Sequence, residues 1–137
     1  MAFGVKFWGV RGSIPVSSPR HVKYGGNTSC LEMIAGDRRF ILDAGTGIRA
    51  LGDEFARRGA REIDLLLTHT HWDHISGFPF FAPAYDPACT IHIRAGHLMG
   101  NGSIRAVLSS QMAHPMFPVP LEAMRARLVF EAFAAGD

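Results

Sequence analysis

Thr68-His69-Thr70-His71-Trp72-Asp73-His74 gathers three of the chain's seven histidines and a carboxylate into one short segment. His69 and His71 stand two apart, so on an extended segment both can point to the same side. Asp73 and His74 follow on a tightening loop and can address a neighbouring point. Imidazole nitrogen and carboxylate oxygen ligate borderline divalent metals, zinc above all, with manganese or iron as alternatives. Two ligand pairs offset along one loop suit two metals about 3.5–4 Å apart, an arrangement used to hydrolyse phosphate and acyl esters. A merely polar loop, or histidines capping a neighbouring helix, is the competing reading; it suits a lone HxH far better than HxHxDH directly after a strand.

Other residues carry weaker signals, each with two readings. Arg11, in a glycine loop, could meet a substrate phosphate through a charge-assisted fork, or stand solvated at the surface. Asn27 and Thr28 line the same mouth or close a turn. Trp72, between two candidate ligands, reads as packing rather than substrate stacking. His92 reads as a packed or surface strand residue, His21 lies in a polar loop, and His97 and His114 have no assigned role.

The elements that must position these residues follow from pattern. Phe3, Val5 and Phe7 alternate with Gly4, Lys6 and Trp8, which predicts a first strand. GVRGSIP opens a loop that runs to Tyr24-Gly25-Gly26-Asn27. Ser29 to Ala35 and Arg38 to Asp43 read as strands of a hairpin turning at Gly36-Asp37. Ile48, Leu51 and Phe55 recur at helical spacing, with Arg57 and Arg58 in the last turn and Gly59 as the stop. Ile63 to Leu67 is a buried strand leading into the histidine segment, and Thr90 to Arg94 is another strand. Ile104, Val107, Leu108 and Met112 mark a second helix capped by Asn101 or Ser103, which Pro115, Pro118 and Pro120 prevent from continuing. Leu128 to Phe133 is a last strand with no returning partner, so the chain reads as cut off in mid-fold.

Composition narrows the class. The chain has 137 residues, a formal charge of +2 and 47% hydrophobic residues, which fits one ordinary globular domain and excludes intrinsic disorder. No apolar run reaches the roughly 18–20 residues of a membrane-spanning helix. No secretory signal is legible at the start, so a cytoplasmic location is the default expectation. Cys30 and Cys89 form no CxxC and read as buried thiols rather than a disulfide framework. The mild positive charge permits nucleic-acid binding without implying it.

THTHWDH, with the upstream ILDAG, resembles the metallo-β-lactamase-fold hydrolases. FWGVRGSIP, YGGNTSC and ILDAGTGI, together with MFPVPL at 116–121, resemble the branch that includes ribonuclease Z and bacterial cyclic-phosphate phosphodiesterases. The resemblance implies an α+β fold: the N-terminal half of an αββα sandwich, with a mostly antiparallel or mixed sheet and flanking helices. It implies that His69 and His71 serve one metal and Asp73 and His74 the other. Asp73 would also orient the attacking hydroxide. Asp43 would be a hydrogen-bonding partner within the metal loop, the alternative being a strand-end Asp that bonds its own turn amides.

The family's later half supplies a further His, a bridging Asp and a final His, and no match to these follows His74. The expectation is therefore a single partial domain over 1–137, truncated at its C-terminal end, with an exposed sheet face open to a homo-oligomeric partner or a completing chain. The leading functional expectation is hydrolysis of a phosphodiester, in RNA or a small cyclic phosphate, by a hydroxide that two metals activate. A thioester or lactone hydrolase of the same fold is one alternative. An inactive half-domain acting only in binding or assembly is another.

Overall fold

The computed structural model describes residues 3–98 and 102–137. Six strands form one mixed sheet in chain order. β1 (Phe3–Gly9), β2 (Cys30–Ala35) and β3 (Arg38–Leu42) pair antiparallel in succession, β1 with β2 and β2 with β3. β4 (Glu62–Leu67), β5 (Thr90–Ala95) and β6 (Arg127–Ala132) then continue in parallel from β3. Helix α1 (Ile48–Arg58) carries the crossover from β3 to β4, and α2 (Ile104–Gln111) carries that from β5 to β6. Parallel neighbours need such crossovers because a tight turn can only return a strand antiparallel.

The hairpin of β2 and β3 turns where expected, with Ala35 opposite Arg38. Ile48, Leu51 and Phe55 of α1 are buried in the core. Gly59 ends that helix in the left-handed region at φ 68°, a conformation that suits glycine. Ser103 caps α2 by accepting from the Ala106 amide at 3.1 Å. Asn101, the alternative cap, lies outside the described residues.

The last strand corrects the expectation that it lacks a partner. β6 pairs along its length with β5, from Thr90 opposite Arg127 to Ala95 opposite Ala132. A search for an antiparallel return cannot find this partner, because it lies across the α2 crossover.

Alternation along the strands divides the sheet into two faces. Ile41, Leu65, Ile91 and Ile93 enter one buried cluster together with Leu51 of α1 and Leu108 of α2. Fully burying each such side chain contributes about 1.5–3 kcal/mol. Phe3, Val5 and Phe7 lie on the opposite face and are exposed, while Trp8 is partly buried against the core. The bulky apolar residues of β1 are therefore the outward set. Toward β6 that outer face becomes charged, and Arg94 bonds both Asp64 and Glu131. His92 lies half-buried there, between Glu62 and Glu131. Both cysteines are buried and free, and burial raises the pKa of each thiol.

Glu32 is a buried carboxylate that earns its place through three donors. Arg39 Nη1 reaches it at 2.6 Å, Arg58 Nη1 at 2.8 Å and Trp8 Nε1 at 3.2 Å. Burial pushes its pKa up, but the Arg39, Arg58 and Trp8 donors outweigh that and hold it below its ordinary value of 4.5. The stabilisation is thus complete above the ordinary carboxylate range and is lost as pH falls through the depressed value. Glu32→Gln is expected to cost about 1–3 kcal/mol at neutral pH, as for hydrogen bonds to a charged group. Urea unfolding across the acidic range should show the variant losing less stability than the wild type as the pH drops.

Candidate metal centre

β1, β3, β4 and β5 all point the same way, so the loops that follow them meet at one edge of the sheet. The carboxyl ends of parallel strands are where such sheets collect their functional loops. Arg11–Ser13 follow β1, Asp43 follows β3, the histidine segment follows β4 and His97 follows β5.

Asp43 is the hub of this edge. It is buried, and its backbone sits in the left-handed region at φ 64°, which Asp tolerates better than most residues. Its carboxylate accepts from the Thr68 amide at 2.8 Å and the Thr68 hydroxyl at 2.9 Å. It also pairs with His74 Nδ1 at 2.8 Å. Asp43 thus reaches across to the histidine loop, and none of these bonds is to its own turn.

These contacts fix two tautomers. A carboxylate only accepts, so His74 carries its proton on Nδ1 and leaves the Nε2 lone pair open. The single proton of the Thr68 hydroxyl goes to Asp43, so that oxygen must accept from His69 Nδ1, 3.0 Å away. His69 Nε2 is then open as well. The His69 ring lies 4.6 Å from that of His71 and 4.1 Å from that of His74, centre to centre. Burial, followed by the charges of His74 and His71, lowers the pKa of His69, which favours the neutral, ligating form.

Asp73 is gripped by a segment far away in sequence. The Ser13 amide donates to its Oδ2 at 2.7 Å, and this is the main reason its carboxyl lies below the usual range. Burial opposes that shift and His74 adds to it. Ser13 is itself left-handed at φ 67°. Close approach of the loops depends on Gly45, where a Cβ would fall 2.4 Å from the Asp73 carbonyl oxygen.

The remaining candidates are engaged elsewhere. Arg11 Nε donates to the Gly25 carbonyl at 3.1 Å, which stitches the glycine loop together. The Asn27 side chain accepts from the Thr46 hydroxyl at 3.0 Å, and its carbonyl accepts from the Val10 and Arg11 amides. Thr28 is buried and donates its amide to Thr46 Oγ1. Both residues close the loop onto the start of α1. Trp72 overturns the packing expectation: it is 72% exposed. A short 3-10 turn over Trp72–His74 rotates it out while Asp73 and His74 turn in.

Among the described residues, no three His, Cys, Asp or Glu side chains converge as a closed metal site requires. The donors nonetheless suit a divalent cation in kind and orientation. His74 Nε2 and Asp73 Oδ2 lie 3.5 Å apart, two atoms that one cation can share. The His71 ring stands beside that of His69, and the His71 carbonyl accepts from the His74 amide at 2.9 Å.

The family model of the metallo-beta-lactamase superfamily matches residues 24–127, well over half of the chain. The chain belongs to the metallo-beta-lactamase superfamily. Members of this superfamily generally hold divalent metals. Among solved structures, a diphosphatase from the PhnP family is similar at TM-score 0.62 and 16% identity, covering 95% of this chain and 50% of that one. A Thermotoga maritima protein described as a metallo-beta-lactamase is similar at TM-score 0.44 and 18% identity, covering 95% of this chain and 59% of its own. No curated protein matches. The chain therefore spans about half the length of the diphosphatase whose metallo-beta-lactamase fold it shares. No described helix is long and apolar enough to cross a membrane.

Asp43→Asn keeps a side chain that accepts the left-handed backbone but removes the carboxylate that orients His74. Its metal affinity, read by competition with a chromophoric chelator, is expected to fall about 10–100-fold, the usual cost of losing such a partner.

Proposed function

We propose that this chain carries the first ligand cluster of a zinc-dependent hydrolase of phosphodiester bonds, in RNA or in a small cyclic phosphate. The observation that carries the reading is the pair of open imidazole nitrogens, on His69 and His74, beside Asp73 and locked by Thr68 and Asp43. His69 and His71 would hold one metal, and Asp73 and His74 the other. Two divalent cations there would supply acidified water and stabilise the charge that develops at phosphorus. Asp43 keeps the His74 ring in place, and the Ser13 amide keeps Asp73 turned toward His74. Asp73 leaves its second oxygen to orient the attacking water.

The phosphodiester reading is supported by GVRGSIP and GGNTSC and by the phosphoryl chemistry in the name of the diphosphatase. The engagement of Arg11 and Asn27 within their own loop leaves substrate binding to other groups. Both thiols are free and buried, in keeping with a reducing, cytoplasmic setting. The chain on this reading is a partial domain. Its remaining ligands would come from further sequence or from another chain seated on the outer sheet face, where Phe3, Val5 and Phe7 are exposed.

One observation favours a second reading, a binding or assembly module without turnover: no third ligand joins either pair among the described residues. Metal content by mass spectrometry, on protein dialysed and monodisperse, separates the two. With the remaining ligands supplied by a completing segment or chain, the expected result is about two metals per site, as a two-metal hydrolase requires, with turnover of bis-aryl or cyclic phosphodiesters that His71→Ala abolishes. Protein that retains no metal and turns over neither substrate, even once a completing segment or chain supplies the remaining ligands, establishes the second reading. Turnover confined to thioesters or lactones overturns the choice of bond.

A further inference from the structure

Charge is distributed unevenly along the chain. All 12 Asp and Glu lie at or after Glu32, whereas Lys6, Arg11, Arg20 and Lys23 come before it. Later cations are largely neutralised in place, as Arg39, Arg58, Arg61 and Arg94 are by their carboxylate partners. None of the four early cations enters an ion pair among the described residues. We infer that the loop between β1 and β2, with the furrow beside it, is a binding surface for single-stranded nucleic acid. Protein groups alone build this surface, and it needs no metal.

The furrow runs from that loop to the start of α1. Two depressions of about 330 and 300 Å³ share Asn27 as a wall, the first against residues 15–17 and Gly26, the second against Arg49, Ser76 and Phe80. No Asp or Glu lines either one. A larger depression at the opposite edge of the sheet, about 470 Å³, instead mixes Arg38, Arg39 and Arg58 with Asp37, Glu62 and Asp64. Arg49 has no ion pair among the described residues. The leading amides of α1 are already spent on the Thr28, Gly45 and Thr46 carbonyls, so the positive charge in the furrow is that of the Arg49 side chain. Asn27 Oδ1 accepts from the Thr46 hydroxyl, which leaves its NH2 group to donate. A guanidinium and an amide NH2 are both donors to phosphate oxygens.

The loop adds a stacking face. Tyr24 is 67% exposed, and Lys23 Nζ stands 5.1 Å from the centre of its ring. A base can stack on the open face while the cation reaches the neighbouring phosphate. A positive groove that follows the backbone, flanked by rings on which bases stack, is the device of sequence-tolerant single-strand binders. In a duplex the base faces are covered by their neighbours, so Tyr24 favours an unpaired strand. An anionic lipid surface would attract the same cations, but a planar surface cannot enter a furrow, whereas a strand can. Ser76 lies two residues past His74, so a strand in the furrow passes the histidine segment. On the hydrolase reading this favours RNA over a small cyclic phosphate, although the binding surface itself does not rest on that reading.

The test is fluorescence anisotropy of a labelled oligouridylate of about 12 nucleotides, titrated with the purified chain in EDTA. Raising the salt from about 50 to about 200 mM is expected to weaken binding about 20–50-fold, as three or four phosphate contacts on a single strand require. Arg49→Gln and Lys23→Gln should each weaken binding and lower the salt slope by about 0.7, one contact's worth. Tyr24→Leu should weaken it at least about fivefold without changing the slope, the loss of one stacked base. Arg127→Gln removes an unpaired charge at the opposite edge, where β6 begins, and should leave the affinity within about twofold. All four side chains are exposed, so the fold tolerates their loss. Absence of binding at the lower salt overturns the inference, as do equal losses in Arg127→Gln and Arg49→Gln. So does a duplex, or inorganic polyphosphate, that binds as tightly as the strand. Co-sedimentation with phosphatidylserine vesicles by a chain that ignores the oligonucleotide overturns it in favour of a lipid surface. Neither metal nor turnover enters the measurement, so failure here leaves the hydrolase reading standing with a small cyclic phosphate. Strand binding by a completed, metal-loaded protein that turns over no phosphodiester defeats the hydrolase reading and leaves the surface.

Discussion

The site depends on one buried carboxylate. Asp43 leaves β3 in a left-handed conformation and receives the Thr68 amide, the Thr68 hydroxyl and His74 Nδ1. An unpaired carboxylate at this depth would be costly, and three donors from the next loop remove that cost. The same bonds set the direction of the loop, the tautomer of His74 and, through Thr68, the tautomer of His69. Without Asp43 the histidine segment would be a polar turn with free rotamers. With it, open nitrogens are held beside Asp73 before any ligand arrives.

The sheet makes that encounter routine. Three crossovers, two through α1 and α2 and one through the 3-10 turns between β4 and β5, keep β3 to β6 parallel. The two antiparallel pairings of β2 leave β1 pointing the same way, so the loops after four strands share one edge. Ser13 and Asp73 are 60 residues apart and meet at 2.7 Å because of this arrangement. The small residues of the turn after β3 then let the backbones close up, as Gly45 and Gly77 show. A Cβ on Gly77 would lie 2.1 Å from the Gly45 carbonyl oxygen. Away from this edge, Glu32 joins β1, β2, β3 and the end of α1 through Trp8, Arg39 and Arg58. Two buried acids therefore organise the sheet, one serving its framework and the other its site.

Most of the framework was legible in local pattern. Strand alternation, the Gly36 turn, the spacing of Ile48, Leu51 and Phe55 and the Gly59 stop all report near-neighbour physics, and the strands and helices lie within a residue or so of those readings. The short 3-10 turns around Pro79, Pro83 and Leu121 were missed, since proline shows where a helix cannot continue rather than what replaces it. The partner of β6 was missed for a different reason. Parallel pairing across a crossover leaves no local mark, whereas a hairpin does. The outward placement of Phe3, Val5 and Phe7 also lay beyond pattern, because alternation defines two faces without saying which one the helices cover.

For the site, the sequence by itself determined the donor types and their spacing: two imidazoles two apart, then Asp73 and His74 after a strand. It also fixed family membership, because a ligand motif and its flanking glycine turns are contiguous in the chain. Only the tertiary structure decided how those donors are held. The Asp43 bond to His74, the Ser13 amide on Asp73 and the loop-closing engagement of Arg11 and Asn27 each join residues well separated in sequence. Trp72 belongs with them, turned out to solvent by the 3-10 turn that brings its neighbours in. Spacing along a chain records which atoms can reach a point, while their partners and orientations depend on strand order, crossover direction and burial.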